Sequence, residues 1–178
     1  MNERSAVIKS MLICFLAITA FLHSGAQSKA IIIAAIRKDF QAINTDETLA
    51  KKTLSDEEFT ENVPDGGCEL TGYYKKDSIV KIVEWIGLSY GNRTREFYFK
   101  KGRLFFVYER FESFVIKDST EGEIDHSQVT TTFEGRYYFN MDKLIGQKVS
   151  GRRTFEEGSV AVIKELLNGA KENTRLLK

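Results

Sequence analysis

Cysteine and histidine are nearly missing from this sequence, which has two of each and a single proline. Cys14 and His23 fall within an N-terminal stretch that reads as a leader, so only Cys68 and His126 remain beyond it. A lone cysteine rules out an intrachain disulfide there. A zinc site of the His/Cys kind draws on three or four such ligands, and too few are left. No G-x-S-x-G elbow, phosphate-cradling glycine loop or H-E-x-x-H helix occurs. The composition leaves one nucleophile arrangement, a Cys68/His126 pair in which the imidazole serves the thiol as base. The plainer reading makes Cys68 a small thiol entering a strand after Asp65-Gly66-Gly67, and His126 a polar residue in the loop EIDHSQ. No metal and no cofactor is expected.

Charge of one sign is lacking too. Arg4 and Lys9 precede the uncharged apolar run from Met11 to Leu22, and Ser24 and Ala26 stand at the small-residue positions of a signal-peptidase site. That order defines a secretory signal peptide. The run is far shorter than the ~20 residues of a membrane-spanning helix, although an uncleaved anchor is the competing reading. Cleavage after Ala26 divides the chain into a signal peptide, 1–26, and a single domain, 27–178. The product is expected in the periplasm or outside the cell, with no membrane span after cleavage. Removing Glu3, Arg4 and Lys9 leaves basic and acidic residues in equal number. Nucleic-acid binding, which rests on a basic excess, is not expected.

What the sequence has in plenty is aromatic and aliphatic side chains, with 13 Phe and 7 Tyr. Near the start, Ile32, Ile33, Ile36, Phe40 and Ile43 recur at helical intervals and predict a helix from about Lys29 to Ile43. From Asn44 to Gly67 the chain turns polar and acidic. It reads as a solvated connector in which Ser55 and Glu58 have the spacing to cap a short helical turn. At the other end, Thr154 and Glu157 have capping-box spacing ahead of Val160, Ile163, Leu167 and Ala170, which predict a helix over about 156–176.

Between the helices an eight-residue phrase is written three times: YYKKDSIV at 73–80, YFKKGRLF at 98–105 and YFNMDKLI at 138–145. Each has two aromatics, a polar pair holding Gly or Asp, and an aliphatic end. The aromatic and aliphatic residues suit a pleated strand. The central pairs Lys76-Asp77, Lys101-Gly102 and Met141-Asp142 suit the positive φ of a tight hairpin turn. Each phrase therefore predicts a β-hairpin. The uneven spacing excludes a regular solenoid, and six strands follow: 69–75, 78–86, 93–100, 103–116, 128–139 and 142–149. The phrase resembles the short YY-x-x-G-K-L hairpins of MORN-like repeat proteins. The resemblance covers about eight residues per copy, and it implies shared turn chemistry and no function.

Strict alternation from two-residue turns puts Leu70, Tyr74, Ile79, Val83, Trp85, Phe97, Phe99, Leu104, Phe106, Tyr108, Phe133, Tyr137, Phe139 and Leu144 on one face, expected under both helices. The other face then carries Tyr73, Tyr98, Tyr138, Phe105, Ile82, Glu84, Glu96, Val107, Glu109, Glu134 and Arg136. The fold expected is α+β: a helix, a six-stranded antiparallel meander and a closing helix, with the helices on one face. Tyrosine and arginine combine apolar area with a polar tip and are enriched where surfaces bind partners. Tyr73, Tyr98, Tyr138, Phe105, Glu96, Glu109, Glu134 and Arg136 are therefore the candidate binding residues of a non-catalytic exported module, its partner a protein or a small molecule. Two alternatives stand beside this. One is a carrier holding a small apolar ligand in a sheet-lined cavity. The other is a hydrolase using two of Glu84, Glu96, Glu109 and Glu134 as an acid/base pair.

Overall fold

The computed structural model describes residues 28–118, 123–153 and 159–178. The expected signal peptide and the Thr154/Glu157 cap lie outside the described residues. The chain divides into two compact units, residues 1–38 and 39–178. In the first, residues 28–38 are helical, and the helix, α1, is described to residue 44. The second unit holds its last residues, 39–44, and everything considered below.

That unit is built on one antiparallel sheet of seven strands in sequence order: β1 (Ala50–Ser55), β2 (Cys68–Lys75), β3 (Ser78–Leu88), β4 (Gly91–Lys100), β5 (Arg103–Asp118), β6 (Glu123–Asn140) and β7 (Lys143–Gly151). A short helix α2 (Asp56–Phe59) follows β1, and α3 (Ser159–Leu176) closes the chain. All six expected strands are present. The seventh, β1, sits where a connector was expected. As an edge strand it exposes both its lysines, Lys51 and Lys52, the ordinary guard of a free edge, and this hides the alternation that marks a strand. The expected Ser55–Glu58 cap is present, with the Ser55 N–H donating to Glu58 Oε2 at 3.1 Å. His126 lies within β6 and not in a loop, its ring 4.7 Å from that of Phe114.

The three hairpins share one irregularity. Tyr74 pairs with Ile79 but Tyr73 with Lys81, which leaves Val80 without a partner in the register. Phe99 pairs with Leu104 but Tyr98 with Phe106, skipping Phe105. Phe139 pairs with Leu144 but Tyr138 with Gly146, skipping Ile145. Each phrase thus encodes a turn followed by a bulge. Lys101 and Gly102, like Met141 and Asp142, take the positive φ that was expected. An extra residue on one strand shifts its alternation by one and moves every later side chain to the opposite face. So β2, β4 and β6 point as expected, while β3, β5 and β7 are reversed. Val83, Trp85, Phe106 and Tyr108 go to one face, and Ile82, Glu84, Val107 and Glu109 to the other.

The end of α1, residues 39–44, and α3 take opposite faces, which differs from the expected one-sided arrangement. On what we call the inner face, Leu70, Ile82, Phe97, Phe99, Leu104, Val107, Tyr137 and Phe139 form the core with Val162, Leu166, Ala170 and Leu177. The α3 helix crosses this face obliquely. Its first turns line a groove with Leu144 and Gln147 of β7, and at its end the Leu177 carbonyl accepts a 2.8 Å hydrogen bond from the Tyr74 hydroxyl. Gly72 leaves room for this docking, because a Cβ there would sit 3.0 Å from Leu177 Cδ1 and from the Tyr74 ring. On the outer face, Phe40 of α1 packs edge-on against Phe106 at 5.1 Å and tilted against Tyr98 at 5.0 Å.

The loop before β2 is held to the end of β3 by backbone alone. Gly66 N–H donates to the Gly87 carbonyl at 3.2 Å, and Gly87 N–H to the Gly67 carbonyl at 2.9 Å. A Cβ on Gly87 would fall 2.4 Å from the Gly66 oxygen, with only backbone to yield. Gly87→Ala should therefore cost about 1–3 kcal/mol, the usual penalty for overpacking. At about 2–4 °C of Tm per kcal/mol in a domain of this size, a thermal melt resolves it, and an unchanged Tm would mean the two segments do not touch.

Candidate functional site

Cross-strand pairing arranges the outer face in rows that run across the sheet. The row nearest the hairpins reads Lys51, Tyr73, Lys81, Tyr98, Phe106, Tyr138, Gly146. The next is Thr53, Thr71, Val83, Glu96, Tyr108, Arg136, Lys148, and the third is Ser55, Glu69, Trp85, Thr94, Arg110, Glu134, Ser150. The α1 end covers the first row. Tyr98 is wholly buried there, and Phe106 and Tyr138 are buried beside it. The Tyr98 hydroxyl bonds the Glu96 carboxylate and lies 3.0 Å from Asn44 Oδ1, which also accepts from Lys81 Nζ at 2.9 Å. Burial, then the Glu96 charge, pushes the Tyr98 hydroxyl pKa strongly upward. Tyr73 keeps a half-buried place, with Lys51 and Lys81 over its ring at 5.2 and 5.5 Å.

The candidate set therefore divides. Tyr98, Tyr138 and Phe105 are core residues, contrary to the expectation of a binding surface. Glu109 lies on the inner face, buried under α3. Tyr73, Glu96, Glu134 and Arg136 do share the outer face and are half-buried. Sequence reasoning missed Trp85 and Tyr108, which the bulges bring to this same face. The Tyr108 hydroxyl donates to Glu134, and the Arg136 guanidinium lies 5.1 Å from the Tyr108 ring centre while donating to Glu134 at 3.1 Å. Burial, then the Glu134 hydrogen bond, lifts the Tyr108 pKa to about 12. That same hydrogen bond is the largest influence holding Glu134 below the usual carboxylate value.

The inner face holds the densest group of charges. Arg95 Nε donates to Glu109 at 2.9 Å, its terminal nitrogens bond Glu165 of α3 and approach Glu84 at 3.6 Å, and it is almost fully buried. Arg153 reaches Glu109 at 3.0 Å and Glu165 at 2.8 Å. Glu84 also receives Arg93 at 3.3 Å and the Asn173 amide at 3.0 Å. Burial lowers the Arg95 pKa, but Glu109, Glu84 and Glu165 outweigh it and raise it overall. The group is charge-balanced, with three guanidiniums facing three carboxylates, and it ties the sheet to the helix. One donor, Arg93 Nε, is buried without a partner.

These placements bear on the two enzymatic arrangements. Of the four carboxylates proposed as acid and base, Glu84 and Glu109 lie on the inner face and Glu96 and Glu134 on the outer, so no pair drawn across that divide flanks one bond. Glu84 and Glu109 share Arg95, while Glu96 is bound by Lys81 at 3.0 Å and Glu134 by Arg136. Cys68 is on β2 and His126 on β6, four strands apart, or roughly 19 Å at the usual strand spacing. Burial, then Asp56, raises the thiol pKa, the reverse of nucleophile activation. Among the described residues no three His, Cys, Asp or Glu side chains are placed to hold a metal ion. No helix there is long and apolar enough to cross a membrane.

Known proteins offer no match by family, by curated sequence or by solved structure. Function is therefore argued from the site alone. The aromatic and charged rows of the outer face, beyond the reach of α1, are the candidate. The sequence signal that would have found them is the repetition of the phrase itself, since a bulge in one copy implies a bulge in all.

Proposed function

We propose that this protein is an exported, non-catalytic interaction module whose partner is a protein held against the open rows of the outer face. The observation that supports this best is the group of Tyr108, Glu134 and Arg136, half-buried and already tied together, with Trp85 in the same row as Glu134. Trp, Tyr and Arg are the side chains most enriched at binding hot spots. A tyrosine already oriented by its neighbours loses little freedom when a partner arrives. Tyr73, Glu96 and Lys148 extend the surface around this centre. The carrier reading is less well supported, because β1 and β7 are not paired with each other and the sheet does not close on a cavity.

Tyr108→Ala and Arg136→Glu should each cost about 1 kcal/mol or less, the scale of cross-strand contacts, and leave the Tm within a few degrees. Both should abolish cross-linking of the secreted protein to the envelope partner captured by the wild-type chain. Retention of the same partner by both variants, with folding intact, would remove this face from consideration.

A further inference from the structure

The inner face carries a second, independent feature. A single helix about 10–12 Å across cannot cover seven strands spaced about 4.8 Å apart, and on the β7 side the first turns of α3 leave an open groove of about 500 Å³. Leu144 and Gln147 form one wall, and Val160, Ile163, Lys164, Leu167, Asn168 and Lys171 form the other. The helical residues recur every three or four positions, so they make one stripe, distinct from the stripe of Val162, Leu166 and Ala170 that enters the core. The floor is apolar, and Val160 stands 82% exposed at its mouth. Lys164 and Lys171 sit two turns apart on the rim, both exposed, with no acidic partner among the described residues. No lining residue is acidic.

An apolar trough whose only charged lining residues are two unpaired lysines suits one kind of occupant. We propose that this groove binds a free single-chain anionic amphiphile, a fatty-acid-like molecule whose hydrocarbon lies on Leu144, Val160, Ile163 and Leu167 and whose carboxylate meets Lys164 or Lys171. The volume lies within the range of small-molecule sites, about 300–1,000 Å³. The stripe from Val160 to Lys171 runs about 16 Å along the helix, room for an extended chain of moderate length. A second copy of the chain or a peptide strand added to the free edge of β7 would not require the anionic head to lie on these two lysines.

The test is isothermal titration of the secreted protein with dodecanoate below its micelle concentration, beside dodecylamine and anionic phospholipid vesicles. Dodecanoate should bind one to one and dodecylamine should not. Affinity should rise about fourfold per methylene through the shorter acids and level off once the chain exceeds ~16 Å. The double variant Lys164→Glu, Lys171→Glu should bind at least about tenfold more weakly and lose the salt dependence expected of a charge contact. Val160→Asp, at an exposed position, should weaken binding with no change in Tm. Equal binding of acid and amine, binding to vesicles alone, ligand-insensitive dimerisation through β7, or unchanged affinity in both variants would each overturn the proposal. None of these outcomes bears on the outer-face partner, whose variants lie on the opposite side of the sheet.

Discussion

Arg95→Ala should cost roughly 3–5 kcal/mol, the loss expected when one partner of a buried ion pair is removed. The magnitude follows from what is stranded. Glu109 is 2% exposed and Glu84 6%, so neither carboxylate can recover its hydration, and Glu165 loses the contact that draws α3 onto the sheet. Against a total of about 5–15 kcal/mol for a typical domain, the variant should sit near the threshold of folding in a urea melt. A mild effect of Arg95→Ala, under about 1 kcal/mol, would mean water reaches the group.

The same group makes stability depend on pH. Burial pushes the Glu165 carboxyl up, but Arg95 and then Arg153 outweigh it and hold it below its ordinary value of 4.5. A depressed folded-state pKa contributes stability that is fully present above the unfolded value and is lost as pH falls through the folded one. The wild-type Tm should therefore drop as pH falls below about 4.5, and the Arg95 variant should show less of this acid dependence.

Phe97→Ala and Tyr98→Ala should each cost about 3–5 kcal/mol, the range for emptying a buried aromatic site. The pair is informative because the residues are neighbours on β4 that point to opposite faces, and both are 0% exposed. Phe97 lies beneath α3 at Gly169, where an added Cβ would already sit 3.5 Å from its ring. Tyr98 lies beneath the end of α1, against Phe40 and Phe106. Alternation alone predicts a large loss at Phe97 and about 1 kcal/mol or less at Tyr98, as for an exposed cross-strand contact. Two cores predict equal losses, and melting the two variants side by side separates the cases. A Tyr98 variant as stable as the parent would leave the outer face without its covering helix.

By itself the sequence determined the turns, the strands between them and the existence of two long helices. Those are local matters: Lys101-Gly102 and Met141-Asp142 accept positive φ, aromatic and aliphatic residues favour pleated backbone, and apolar residues at helical spacing need a surface to bury them. Only the tertiary structure decided which way half of the strands face. A bulge adds one residue to the pairing and costs little locally, yet it reverses the alternation of the rest of its strand, so Trp85 and Tyr108 changed places with Glu84 and Glu109. The burial of the carboxylates was likewise invisible in the chain, because Arg95 meets Glu84 and Glu109 only through strand pairing and the helix that covers them arrives from afar. Arg95 and Glu165 are 70 residues apart in sequence, and no local pattern marks a charge as one that a distant helix will cover.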